Sequence, residues 1–311
     1  MLVYHFWASV YSPVIWDQPA ISGSRRSTRT TRSNRVNAVG VCWLAATERI
    51  HTADKMGTLP KRYTSRIQKG GALFEEMRQL VRLWKDVPLH QNKAEVIRRN
   101  PLNRATRSRV VDVLNRLFIP RFVEGPVRNS WRLLVPLEKL CASPAIVRPI
   151  YFWLTALAEP LIYDVCTQYL TERRLKGLLA VDVNEVAAWI QEKGCGWSDV
   201  VTIKVTRAVL AALRDFGLLE GKVRKHLTSL RLPLPSFAYI TFCLYRSSVA
   251  VRNILTHPDW KLFMLAPADV ERLLLESHQQ RLLEYHAAGS VISLSFPVST
   301  AEEYAHVVLG R

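Results

Sequence analysis

Cysteines are few in this chain, and no two of them lie close together. Cys42, Cys141, Cys166, Cys195 and Cys243 are scattered through 311 residues, which argues against a zinc ribbon or a disulfide framework and fits a reducing cytoplasm. A glycine-rich phosphate loop with its lysine, a G-x-S-x-G turn and a CxxC pair are all missing. No window comes near the roughly 20 apolar residues that span a bilayer. Ile150–Ala158 runs into Glu159-Pro160 and Phe237–Tyr245 is too short, so both are expected as core helices rather than membrane segments. Residues 1–16 are apolar but lack the basic start and small-residue cleavage site of a signal peptide.

Acidic residues are scarce where basic ones concentrate. The formal charge is +17, and residues 56–140 hold 18 Lys and Arg against 7 Asp and Glu, whereas residues 141–311 hold 18 against 16. Such one-sided charge attracts a polyanion, with nucleic acid the first candidate. The densest stretch is Arg98–Arg121, where Asp112 is the one acid. Asn100-Pro101 stops the preceding helix, Asn103 or Thr106 can cap the next, and Val110, Val113, Leu114, Leu117 and Phe118 recur as one buried stripe. The spacing predicts a helix over 104–118. Arg98, Arg99, Arg104, Arg107, Arg109 and Arg116 then gather around its start and first turns. Guanidinium forks, orphan N–H groups and the helix dipole together suit phosphate. The plainer alternative is a solvated basic face without a ligand.

Composition divides the chain further. Residues 1–58, with the polar run Ser22–Arg35, read as a disordered extension. Met56 is read as the true start, an expectation that native peptides from residues 1–55 in mass spectrometry would overturn. A basic helical domain over 59–178, a winged-helix-like module over 179–235 and a C-terminal helical region over 236–311 follow. Leu73, Phe74, Met77, Leu80, Val81 and Trp84 form one apolar stripe behind Gly70-Gly71. Further helices are expected at Lys93–Arg99, Ser130–Leu140 and Ala145–Lys176, the last broken at Pro149 or Pro160. Pro267 opens a helix running to about Ala288 with Gly289 as its stop, Val291–Phe296 alternates like a strand, and Thr300 caps a last short helix. The fold class is therefore mainly α, with little β structure.

Residues 182–232 carry a second signal. Asp182 or Asn184 caps a helix with Val186, Trp189 and Ile190 inward; Gly194-Cys195-Gly196 breaks it, and Ser198 caps a second helix ending at Phe216-Gly217. There Ile203, Thr206, Leu210, Leu213 and Phe216 are expected to face inward, while Lys204, Arg207, Ala211 and Arg214 fall on one outward stripe. A basic run follows, with Lys222, Arg224, Lys225, His226 and Arg231. Helix, turn, helix and basic hairpin together are similar to a winged-helix module, whose second helix enters the major groove while the wing touches backbone. Thr202, Lys204 and Arg207 lie on the first half of that reading helix. An ordinary helical hairpin with a basic side is the alternative.

No catalytic residue is expected. Asp259-Trp260-Lys261 is half of a metal-nuclease signature without its further acid, and Trp260, Leu262, Phe263 and Leu265 read as core anchors. His278, Glu284 and His286 are placed on one helix with divergent faces, so neither a metal nor a cofactor is expected.

Three groups of residues carry a resemblance. Tyr63-Thr64-Ser65 leads into Gly70-Gly71, Asn103-Arg104-Ala105-Thr106 opens the basic helix, and Trp197 through Leu213-Arg214-Asp215-Phe216-Gly217-Leu218-Leu219-Glu220-Gly221 continues to Leu232-Pro233 and Phe237. Over residues 60–311 the chain resembles the A proteins of bacteriophage-exclusion (BREX) defence systems. The resemblance implies a mostly helical cytoplasmic DNA-binding protein of no known enzymatic activity, encoded with a methyltransferase, ATPases and other defence factors. It also implies a partial likeness to helical RNA-binding antitermination factors. The inner-membrane label sometimes given to that family conflicts with the hydropathy. Duplex DNA and other BREX components are the expected partners; an RNA-binding antitermination-like role and a basic scaffold docking other defence proteins are the alternatives. Phe74, Trp84, Phe118 and Phe216 fall at inward positions, which disfavours base stacking on single strands.

Overall fold

Apolar residues at helical spacing set the architecture, and the computed structural model is mainly α-helical over the residues it describes: 63–102, 106–228, 232–289 and 291–310. The expected disordered extension, Asn103–Ala105 and Arg231 lie outside them. A 3-10 turn at Ser65–Lys69 leads through Gly70-Gly71 into α1 (Phe74–Leu83), whose Phe74, Met77, Leu80 and Val81 are buried together. Next come α2 (Leu89–Arg99), longer than the expected Lys93–Arg99, and α3 (Arg107–Val113). Thr106 caps α3, its Oγ1 accepting the Arg109 N–H at 3.3 Å. The helix does not end at 118 but widens into a π-helix over Leu114–Val123. Pro120 inside it has no N–H for the α ladder and its ring crowds the preceding turn, so the backbone widens there while Phe118, Ile119 and Phe122 stay buried.

Helices α4 (Trp131–Lys139) and α5 (Pro144–Ala158) follow. The expected break falls at Glu159, which precedes Pro160 and so leaves the helical region, with φ −120° and ψ 85°. Pro160 opens α6 (Pro160–Asp164), continued by π-helical Val165–Leu170 and α7 (Thr171–Leu175), and this second arm is bent 109° from α5. Pro149 is accommodated inside α5. Among the described residues no single helix is long and apolar enough to cross a membrane; the bent pair meets that test by length and composition only. The α5 residues Ile150–Leu154 are buried in protein.

The middle of the chain runs β1 (Ala180–Val181), α8 (Val183–Glu192), α9 (Asp199–Asp215), β2 (Leu219–Glu220) and β3 (Lys225–Leu227). The three strands form an antiparallel sheet in the order β1-β3-β2, with Ala180 and Glu220 both in register with His226. Then come α10 (Leu234–Arg246), α11 (Val251–Ile254), a 3-10 turn at Pro258–Phe263, and α12 (Pro267–Gln279). Helix α12 stops at Gln279, not near Ala288. Arg281 turns the chain at φ 58°, and β4 (Glu284–Ala288) pairs with β5 (Val291–Ser295) as a hairpin. Gly289 (φ 60°) serves the hairpin turn rather than a helix end. Alternation about buried Tyr285 is the reason, since its neighbours Glu284 and His286 are exposed. His278 and His286 therefore sit on α12 and β4, not on one helix. Thr300 caps α13 (Ala301–Leu309) in a reciprocal box with Glu303.

All described residues belong to one compact unit. Packing crosses the boundaries read from composition: Tyr239 OH donates to the Leu133 carbonyl at 2.6 Å and Ser236 Oγ to that of Ile146 at 2.7 Å. Two buried carboxylates tie distant elements. Glu138 accepts from Arg78 Nε at 2.8 Å, Arg82 Nε at 2.7 Å and Tyr151 OH at 3.1 Å. Glu159 accepts from Arg121 Nε at 2.9 Å and Arg66 Nε at 3.0 Å. Asp259, the half-signature acid, is a structural pin. It is buried and accepts from Trp153 Nε1 at 2.7 Å and Tyr163 OH at 3.0 Å.

Candidate nucleic-acid interface

Helix α8 starts where Asp182 accepts the N–H groups of Asn184 at 2.7 Å and Glu185 at 3.2 Å. Gly194 (φ 70°) and Gly196 (φ 68°) make the turn that closes it. Val186 and Ile190 are buried as expected, and Trp189 is half-buried, packed against the core beside Tyr169, with Lys193 Nζ 4.3 Å from the centre of its ring. Helix α9 buries Val205, Thr206, Val209, Leu210, Ala212 and Leu213. Ile203 is only half-buried, at the edge of that face.

The opposite face holds the predicted cations. Lys204 and Arg207 are exposed and have no acidic partner among the described residues. Ala211 and Arg214 are half-exposed, and Arg214 pairs with Asp215 at 2.8 Å. Thr202 does not share this face. It is 1% exposed and its hydroxyl donates to the Ser198 carbonyl one turn back, so it cannot reach a base edge. Two residues before Lys204 on a helix is a rotation of about 200°, which sends Thr202 to the inner side.

The hairpin β2–β3 follows α9. Gly221 (φ 87°) turns it so tightly that a Cβ would lie 1.9 Å from the Arg224 carbonyl oxygen. Lys222 and Arg224 are exposed without acidic partners among the described residues, whereas Lys225 is buried and its Nζ donates to the Lys222 carbonyl at 3.2 Å. Lys225 thus braces the loop from inside and is not a free surface cation. Its alternation with Lys222 and Arg224 across the start of β3 turns it under the hairpin.

The arginine-rich stretch divides similarly. Arg98 and Arg99 close α2, both exposed and both paired with Glu95, Arg98 at 2.8 Å. The Arg98 hydrogen bond, aided by Arg99, holds the Glu95 carboxyl below its usual range. Arg107 is exposed and Arg109 half-exposed in the first turn of α3, neither with an acidic partner among the described residues. Arg116 pairs with Asp112 at 3.3 Å, and Arg104 lies outside the described residues. Arg121 is turned into the core with its side chain 0% exposed. There burial pulls its pKa down while Glu159 opposes the shift.

The Ser65–Lys69 turn joins the two basic regions. Lys69 lies 4.0 Å from Asp112 beside Arg116, and two residues on, a Cβ at Gly71 would lie 3.7 Å from the Ala208 oxygen of α9. Lys69 was not among the residues expected from sequence. Its signal is a cation set directly before a Gly-Gly pair that allows close backbone approach. Phe74, Trp84, Phe118 and Phe216 are all buried. Among the described residues, no three His, Cys, Asp or Glu side chains are grouped to hold a metal.

No curated protein and no solved structure matches the chain. A family model described as BrxA matches residues 61–242, spanning the basic helices, the α8–α9 pair, the hairpin and most of α10. With more than half of its length so matched, the chain belongs to the BrxA family of BREX phage-defence components.

Proposed function

We propose that the protein is a non-enzymatic, cytoplasmic DNA-binding component of a BREX system, holding duplex DNA mainly through phosphate contacts alongside other BREX components. The carrying observation is the outward face of α9. Lys204 and Arg207 stand exposed and without acidic partners among the described residues, and the following hairpin presents Lys222 and Arg224 in the same state. A helix pair, a tight turn and a basic hairpin closed by a small antiparallel sheet support the winged-helix reading, in which α9 lies in the major groove. Arg107 and Arg109 add backbone contacts that position without reading sequence.

Buried aromatics near the basic segments favour duplex DNA over the antitermination-like RNA reading, because single-strand recognition stacks bases on exposed rings. Gel shifts with duplex DNA, single strands and structured RNA at equal salt test the proposal. Preferential retardation of the duplex is expected. Tighter binding of structured RNA overturns it, and no retardation of any nucleic acid transfers these faces to the scaffold reading.

A further inference from the structure

Residues 174–180, where α7 gives way to β1, are all exposed, and three of them are leucines: Leu175 is 83% exposed, Leu178 48% and Leu179 51%. Single exposed leucines are ordinary, but three within five residues make an apolar patch of the kind that marks an interaction surface. Hydrogen bonds hold this loop in place. The Leu178 N–H donates to the Arg173 carbonyl at 2.9 Å, and the Leu179 carbonyl accepts from the Leu227 N–H at 2.8 Å. Although β1 is an edge of its sheet, the Arg173 guanidinium donates to the Ala180 carbonyl at 2.6 Å and so occupies a backbone group that an added strand would need. What the loop offers a partner is therefore its leucine side chains.

A groove of about 350 Å³ opens beside the same loop, with Arg174 at its rim and half-buried Leu234, Met264 and Leu265 in its lining. Its rim also carries Asp269, which accepts the Ala266 N–H at 3.0 Å and has no cationic partner among the described residues. Lys176 stands between Leu175 and Leu178, and its pair with Glu172 joins two well-exposed groups, which does little to hold it there. Taken alone, such a groove names no occupant; the adjoining loop does. One chain carries an apolar projection with a cation and, next to it, an apolar recess with an acid. We propose that the two meet between two copies of this chain, the leucine loop of each seated in the groove of the other, with Lys176 against the partner's Asp269. One loop in one groove falls short of the roughly 800 Å² that each side of a specific interface gives up. Twofold pairing engages both loops and both grooves at once, and a reversible dimer in the micromolar range follows.

Sedimentation equilibrium of the full chain, free of nucleic acid, tests this between about 1 and 100 μM. The mean mass of the wild type is expected to rise with concentration toward twice that of one chain. Leu175→Glu/Leu178→Glu charges the projection at two surface positions that the fold does not need. Leu234→Glu charges the groove in the first turn of α10, where an acid suits the helix dipole. Each variant, checked for an unchanged melting temperature, is expected to dimerise at least about tenfold more weakly. The loop variant alone keeps the test decisive if the groove variant melts early, because its side chains lie in water. A wild type that stays monomeric across the range overturns the proposal. So does a dimer that the loop variant, or a folded groove variant, leaves as tight as before.

Discussion

Glu138 carries more structural consequence than any surface ion pair in the molecule. Its carboxylate is 1% exposed and serves two guanidinium groups and a phenol drawn from α1 and α5. Removing one partner of a buried pair strands the others, so Glu138→Ala is expected to lower stability by about 3–5 kcal/mol in urea unfolding. Arg82→Ala removes a half-exposed partner and is expected to cost under about 1 kcal/mol. The buried thiols give a pH dependence. Burial alone raises the pKa of Cys166 and Cys243 far above the thiol range, so the folded protein keeps protons that the unfolded chain loses above about pH 8.5. Their contribution is therefore complete below that value and lost as pH rises through the interval toward the folded pKa. A urea midpoint that falls between about pH 8 and pH 10.5, with a smaller fall for the double Cys→Ala variant, checks the sign.

At the scale of elements, the hairpin depends on one glycine. Gly221→Ala meets both an unfavourable positive φ and a backbone oxygen 1.9 Å from the new Cβ, so the turn must open. The expected cost is about 1–2 kcal/mol, felt locally. Hydrogen exchange at the Lys225 and Leu227 amides checks it: these should lose protection while α5 and α10 keep theirs. The caps at Thr106, Asp182 and Thr300 were legible in sequence because a capping side chain bonds within three residues of itself. The β4–β5 pairing was not. Glu284–Ala288 contains helix-compatible residues, and only its partner strand shows that its alternation about Tyr285 is a strand period.

For the whole molecule, the uneven charge predicts steep salt dependence. If the α3 and α9 faces and the β2–β3 hairpin together neutralise about six phosphates, duplex affinity should fall about 10³-fold between 50 and 200 mM salt. Fluorescence anisotropy across that range measures the slope, and a flat curve removes the electrostatic reading. The two faces should also separate. Arg107→Ala with Arg109→Ala is expected to weaken all duplexes alike, whereas Lys204→Ala with Arg207→Ala should also erase any preference among sequences, at about 1–3 kcal/mol per lost base contact.

By itself the sequence determined most of the helices and their buried stripes, the caps at Thr106, Asp182 and Thr300 and the basic bias of residues 56–140, because each follows from spacing or composition within a few residues, whereas Ser198, expected as a cap, makes no side-chain bond at the start of α9. It also placed Lys204 and Arg207 outward, since the 3.6-residue period turns them away from the side that buries Thr206 and Leu213. Only the tertiary structure decided which cations remain available. Arg121 belongs to the richest arginine stretch yet is spent on Glu159, 38 residues away, and Lys225 on a carbonyl of its own loop. A one-dimensional pattern counts every cation as surface. Whether it stays there depends on a carboxylate or carbonyl that the folded chain brings within hydrogen-bond reach, because a buried charge persists only where such a partner meets it.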